Sequence, residues 1–223
     1  MVTTLGVLPA GGRGIRLRAG PKALVSIGGR TLLERALDSL APLCDLVVVT
    51  APATVPLDPA LGRARAGGRH ELERVDDPPG AVGPLAGLVA GLGAVRYRRA
   101  VVLGVDFPLV RSEFLAALLD RLEGGAAASS AGFVRPPAVI PAPGSIPQPL
   151  VAAYAPEAAA RLRAALDRGE RAAVQATLAL GPLLLGEGEL AALPGGLENL
   201  LNVNTPDDFA EAERRLGSPR GAA

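Results

Sequence analysis

The chain has 223 residues, 49% of them hydrophobic, with 23 basic and 22 acidic side chains and a formal net charge of +1. That balance gives no bulk field for nucleic acid or an anionic membrane, while the apolar content suffices for the core of one α/β domain. The single cysteine, Cys44, excludes an internal disulfide, and no apolar stretch reaches the roughly 20 residues that cross a bilayer.

Met1-Val2-Thr3-Thr4 carries no basic segment ahead of an apolar one, so the sequence reads as cytoplasmic, without a secretory leader. Thr4 to Leu8 is a short apolar run that stops at Pro9-Ala10-Gly11-Gly12, the pattern of a buried strand feeding a glycine-rich loop. Thr31 caps a helical stretch in which Leu32, Leu33, Ala36, Leu37 and Leu40 share one face. Cys44 then precedes the apolar run Leu46 to Val49, which reads as a central strand with both faces covered and the thiol as a small buried hydrophobe. Ala51 to Gly68 has no clear period and receives no assignment.

Gly83-Pro84 opens a helix through Leu92, Ala100 to Val105 is a strong strand ending at Asp106-Phe107-Pro108, and Ser112 starts a helix through Leu122. Repeated βα alternation predicts a three-layer α/β/α sandwich with a mostly parallel, Rossmann-like sheet. Its ligand crevice lies beyond the carboxyl ends of the strands, where the glycine loop and Asp106 should both face. Further on, Gly132 to Pro149 reads as a proline-rich loop, Leu150 to Tyr154 as a strand, and Pro156 to Asp167 and Glu170 to Leu180 as helices. Thr205-Pro206-Asp207-Asp208 signals the last helix, with an N-cap, a proline at its first position and an acid at its third. The expectation is one domain over residues 1–217, with a nucleotide-binding half at 1–110, an acceptor half at 111–217 and a mobile tail at 218–223.

Three stretches carry chemistry. In Pro9-Ala10-Gly11-Gly12-Arg13-Gly14-Ile15-Arg16, three glycines let the backbone approach a polyphosphate, with Arg16 and Lys22 nearby; an ordinary turn with surface arginines is the alternative. Leu17 stands where a dinucleotide fingerprint needs its third glycine, and Ala23 where a Walker loop needs Ser or Thr. Lys22 is also the one lysine among the 23 basic residues, which suggests a place where a compact ammonium is required. Asp106, ending an apolar strand, reads as a Mg²⁺ ligand or as a turn cap, with Asp76 and Asp77 as helpers in the first case. Asn202 and Asn204 fall on one side of an extended segment, where they either grip a polar ring or cap the last helix. His70 and the cluster Arg96, Arg98 and Arg99 read as exposed.

Together these stretches resemble the molybdenum cofactor guanylyltransferase family, within the glycine-rich-loop nucleotidyltransferases, over the whole chain. The resemblance rests on Pro9-Ala10-Gly11-Gly12 with Arg16 and Lys22, on Asp77 six residues before Gly83-Pro84-Leu85-Ala86-Gly87-Leu88, and on Asp106-Phe107-Pro108. Pro149-Leu150 with Tyr154 and the late Asn202-Val203-Asn204-Thr205-Pro206 complete it. It implies transfer of GMP from GTP to molybdopterin with release of pyrophosphate and Mg²⁺ as cofactor. Arg16, Lys22 and Asp106 would be catalytic, and Asp106 the metal ligand. Pro9, Ala10, Gly11, Gly12, Lys22, Asp77, Gly83 and Asp106 would bind the nucleotide, and Asn202 and Asn204 the acceptor. Transient contact with other molybdenum cofactor proteins is a further implication. Pro21-Lys22 is similar to the sugar-nucleotide and cytidylyl branches, and Thr50-Ala51-Pro52 replaces the family's asparagine after the second strand. Cytidylyl transfer to another phosphorylated acceptor, and a nucleotide-binding module without turnover, are the competing readings.

Overall fold

The computed structural model describes residues 1–12, 20–66, 71–81, 83–124 and 135–217. The first strand, β1 (Val2–Pro9), is extended and apolar because both of its faces are covered: Leu5 and Val7 point to one layer and Leu8 to the other. The hairpin β2 (Ser26–Ile27) and β3 (Arg30–Thr31) leads into α1 (Leu32–Leu40). That helix starts at a reciprocal cap, in which Thr31 Oγ1 accepts from the Glu34 N–H and the Glu34 carboxylate accepts from the Thr31 N–H. The chain then forms β4 (Leu46–Ala51), α2 (Asp58–Ala66), β5 (Glu71–Asp76), α3 (Pro84–Leu92) and β6 (Tyr97–Leu103). Beyond α4 (Ser112–Gly124) come β7 (Ala138–Pro141), β8 (Val151–Tyr154), α5 (Pro156–Asp167), α6 (Ala173–Leu178), β9 (Leu183–Leu185), α7 (Glu187–Ala191) and α8 (Pro206–Gly217).

The seven-stranded sheet runs β5-β4-β1-β6-β8-β7-β9, with β8 antiparallel to both of its neighbours and the other pairings parallel. Alternate residues of β4 enter opposite layers, Val47 and Val49 with α1, α2 and α4, Leu46 and Val48 with α3 and α5. The three-layer sandwich expected from βα alternation is therefore present. Helix α3 lies unusually close to the sheet: a Cβ on Gly91 would stand 2.2 Å from Val7 Cγ1, so only glycine permits this approach.

The topology places the crevice. From β1 the chain moves outward through β4 to β5, with α1 and α2 on one face. It then returns across the other face through α3 to β6, on the far side of β1. The order of strands reverses between β1 and β6, and at such a reversal the loops beyond the carboxyl ends diverge and leave a ligand crevice. Both Gly11-Gly12 and Asp106 follow these two strands.

Several expectations need correction. Residues 51–68, left unassigned, contain α2, which buries only Leu61 and so shows no helical face in the sequence. Ala138–Pro141, inside the expected proline-rich loop, is a strand paired on both sides; four apolar residues among prolines carry too short a signal. The helix expected over Glu170 to Leu180 is confined to Ala173–Leu178, because the Glu170 carboxylate accepts from the N–H groups of Arg171 and Ala172 and stops the segment from starting earlier. Cys44 is buried and its thiol is pushed up to about 12 by burial, with the Asp45 charge adding, which leaves it inert. Among the described residues no helix is long and apolar enough to cross a membrane. His70 and the tail 218–223 lie outside the described residues.

Candidate active site

The site is built from three segments far apart in sequence. At the end of β1 the Ala10 N–H donates to the Thr50 carbonyl at 2.7 Å, so it prolongs the sheet and is not available to a ligand. Gly11 comes next, where a Cβ would stand 2.7 Å from Pro52 Cδ; any side chain there would collide with the segment after β4. Gly12 turns its carbonyl to the Lys22 N–H at 3.0 Å, which ties the loop to the 3₁₀ turn Lys22–Leu24. Arg16, Gly14 and Arg18 lie outside the described residues.

Lys22 is the centre of the arrangement. Its side chain is 9% exposed, its Nζ donates to Asn204 Oδ1 at 2.7 Å, and the same nitrogen lies 3.6 Å from Asp106 Oδ2. An ammonium so enclosed needs this pairing to offset its lost hydration. Asp106 retains 21% exposure of its side chain, which leaves the carboxylate a path to the crevice. Gly104 makes room for it, since a Cβ there would approach Asp106 Oδ1 to 2.5 Å.

The third segment is held by backbone. The Val203 N–H donates to the Asp106 carbonyl at 2.8 Å and the Val203 side chain is fully buried. With Val203 pointing into the core, Asn202 and Asn204 share the opposite side, as their spacing predicts, and Asn204 Nδ2 donates to Asn202 Oδ1 at 2.8 Å. Thr205 caps α8 through its hydroxyl, which accepts from the Asp208 N–H at 3.2 Å. The Asp208 carboxylate accepts from the Asn204 and Thr205 N–H groups at 2.8 Å each, and these bonds, led by that of Asn204, hold its carboxyl below the usual range. Capping therefore uses the Asn204 backbone, while the Asn204 side chain is committed to Lys22.

The other end of the crevice is of different character. Thr50 Oγ1 and Asp77 Oδ1 are buried and have no hydrogen-bond partner among the described residues. They converge on Gly87 of α3, whose Cβ would stand 2.8 Å from Thr50 Oγ1, 3.4 Å from Pro9 Cβ and 3.5 Å from Asp77 Oδ1. Burial, with the Asp76 charge adding, raises the Asp77 pKa above its ordinary value. Gly83, with φ of 102°, forms the entry to α3 beside this group, in a conformation that side chains rarely adopt.

Asp76 ends β5 and pairs with Arg74 at 3.4 Å, while Asp77 follows the strand and turns Oδ2 toward Gly11, where a Cβ would stand 3.5 Å from it. Tyr154, in the strand that the resemblance sets on the acceptor side, is fully buried, and its hydroxyl donates to the Pro149 carbonyl at 2.8 Å. Its chain neighbour at the crevice end is Leu150, whose carbonyl accepts from the Gly104 N–H at 2.7 Å. Sequence reasoning passed over Thr50 as a buried hydroxyl packed against Gly87, although a hydroxyl directly after four apolar strand residues was the available signal.

A mostly parallel sheet with a glycine loop, a lysine and an aspartate at its switch point is the architecture of a nucleotidyltransferase. Residues 6–180 match the model of the MobA-like NTP transferase domain, and the chain belongs to that family. It is 34% identical over 215 residues to a probable molybdenum cofactor guanylyltransferase of Chloroflexus aggregans, covering 96% of this chain and 95% of that one. It is also 33% identical over 241 residues to a 2-C-methyl-D-erythritol 4-phosphate cytidylyltransferase of Deinococcus radiodurans, covering 98% and 91%. Among solved structures it is similar to the molybdopterin-guanine dinucleotide biosynthesis protein A of Archaeoglobus fulgidus, with a TM-score of 0.73, 26% identity and coverage of 96% and 98%.

Proposed function

We propose that the protein transfers GMP from GTP to the terminal phosphate of molybdopterin. The observation that carries this reading is the convergence of Lys22, Asp106 and Asn204 at one point of the crevice, from three motifs spread over most of the chain. An acceptor phosphate oxygen attacks the α-phosphorus of the nucleotide. The bond from that phosphorus to the bridging oxygen breaks, and pyrophosphate departs with the electron pair. No protein nucleophile is required.

The residues act by position and charge. Lys22, with Arg16, neutralises the β- and γ-phosphates, and backbone N–H groups from Gly11 onward approach them. Asp106 is the group suited to hold Mg²⁺. Its partly exposed carboxylate stands beside the place proposed for the phosphates, and one or two carboxylates together with substrate phosphates are the form in which Mg²⁺ is usually held. When bound, the ion withdraws charge from the α-phosphate and the leaving group. Residues 1–110 serve the nucleotide and residues 111–217 the acceptor, with Asn202 on the acceptor side and Asn204 joined to Lys22.

Guanine is favoured by the base end of the crevice. Asp77 as a carboxylate only accepts hydrogen bonds, and guanine offers two adjacent donors on its pairing edge, whereas cytosine offers one donor beside an acceptor. The Asp77 carboxylate, whose Oδ2 lies toward Gly11 at the end of β1, matches the first pattern. Cytidylyl transfer is the second reading, supported by the Deinococcus radiodurans relative. Pyrophosphate release with Mg²⁺ and molybdopterin, run in parallel with GTP, CTP, ATP and UTP, separates the two. Release with GTP alone is expected; release with CTP alone overturns the guanine assignment.

A further inference from the structure

The three amides and amines of the crevice form a chain with a fixed direction. Lysine has three donors and no acceptor, so whatever Asn204 turns toward Lys22 Nζ at 2.7 Å must be its carbonyl oxygen. That choice leaves Asn204 Nδ2 facing Asn202 at 2.8 Å, so Asn202 must present its own oxygen there. The Asn202 amide is then oriented by a lysine it does not touch, and its NH₂ group is the end of the chain directed away from Asn204. Backbone restraints hold the register: the Val203 N–H is fixed on the Asp106 carbonyl and the Asn204 N–H on Asp208 Oδ2, both at 2.8 Å.

We infer that Asn204 is a positioning residue, which holds the Lys22 ammonium beside Asp106 and, through the amide direction this imposes, makes Asn202 a hydrogen-bond donor toward the acceptor. This rests on the proposed transfer reaction and narrows it: the part of the acceptor that meets Asn202 is a hydrogen-bond acceptor, an oxygen or an unprotonated ring nitrogen, and not an N–H group. The two asparagines have different duties. Asn204 serves the nucleotide side through Lys22, and Asn202 serves the acceptor side alone.

The sequence supplies the probe. Lys22 is the only lysine, so protein labelled with ¹⁵N-lysine gives one side-chain ammonium signal. Three variants are compared, Asn204→Ala, Asn202→Ala and Asn202→Asp, the last keeping size and the oxygen that accepts from Asn204 while replacing the donor with a negative charge, so that Asn202→Ala is the neutral test of the donor. Asn204→Ala should shift the Lys22 signal, speed exchange of its protons, and weaken GTP binding in the presence of Mg²⁺ about tenfold, as expected for one lost charge-assisted hydrogen bond. Asn202→Ala should leave the Lys22 signal and the GTP affinity near wild type, yet raise the acceptor KM at least tenfold with GTP KM unchanged. Asn202→Asp, which adds a charge, should raise the acceptor KM further.

An unmoved Lys22 signal in Asn204→Ala overturns the inference. So does an acceptor KM in Asn202→Ala equal to that of wild type. The ammonium signal is read without nucleotide or acceptor, so it judges the Lys22–Asn204 link even where the wild-type chain releases no pyrophosphate; that second outcome would instead count against the proposed reaction. Circular dichroism of each variant excludes loss of fold as the cause.

Discussion

The two ends of the crevice differ in how their polar groups are satisfied. At the end proposed for the phosphates, Lys22, Asp106, Asn204, Asn202 and Asp208 bond or pair with one another. At the end proposed for the base, Thr50 Oγ1 and Asp77 Oδ1 are buried without partners among the described residues. A satisfied network is preorganised and loses little on meeting a charged ligand, which suits charge stabilisation in a transition state. An unsatisfied buried group carries a desolvation penalty that a matching ligand removes and a mismatched one leaves in place, which suits discrimination. On this view catalysis resides at one end and selectivity at the other.

Substitutions can break that division. Asp106→Ala at the phosphate end is expected to lower kcat on the order of 10³-fold with the circular dichroism spectrum unchanged, since one electrostatic group is lost from a preorganised site. Wild-type turnover in this variant would remove Asp106 from the reaction. Lys22→Arg keeps the charge but forces a planar fork into a space shaped for an ammonium, and steady-state kinetics should show a fall of about 10²-fold.

At the base end the effects should be smaller and of another kind. Asp77→Asn is expected to raise the GTP KM about tenfold, with kcat changed less, as one charge-assisted hydrogen bond is weakened. Burial raises the Asp77 pKa in the folded chain above that in the unfolded chain, so folding favours the protonated carboxyl. The empty wild-type protein therefore loses stability as pH climbs from the ordinary carboxylate range through that raised value. Thermal unfolding across that range should show the loss in wild type and not in Asp77→Asn. GTP affinity should fall in the opposite direction, as acidification through the raised pKa protonates the accepting oxygen. The mildest change is Thr50→Val, which removes an unpartnered hydroxyl at nearly constant volume. Unfolding in denaturant should show a gain of about 1 kcal/mol.

Legibility in the sequence follows the same physical contrasts. β1, β4 and β6 are buried on both faces, so their apolar runs announce themselves and stop at Pro9, Pro52 and Asp106, which is why the glycine loop and Asp106 could be placed at one crevice. β5 reads Glu71-Leu72-Glu73-Arg74-Val75-Asp76, an edge strand whose carboxylates face solvent while Arg74 pairs with Asp58 and Asp76, and β9 is only three residues long. The first lacks the composition of a central strand and the second its length, so the edges of the sheet were not legible. Lys22 stood out because it is the only lysine, and Asn202 and Asn204 because of their alternation. What the sequence did not disclose is that Asn204 bonds to Lys22 across 182 positions of chain; a contact of that range depends on the order of strands and not on local pattern.

The most direct measurement is mass spectrometry of the product formed from molybdopterin and Mg²⁺–GTP by the wild-type chain and by Asp106→Ala. A pterin carrying one added GMP in the first reaction, and none in the second, is the expected result. Unmodified pterin in the presence of bound GTP, or a pterin carrying CMP when CTP is supplied instead, would contradict the assignment of this crevice to guanylyl transfer.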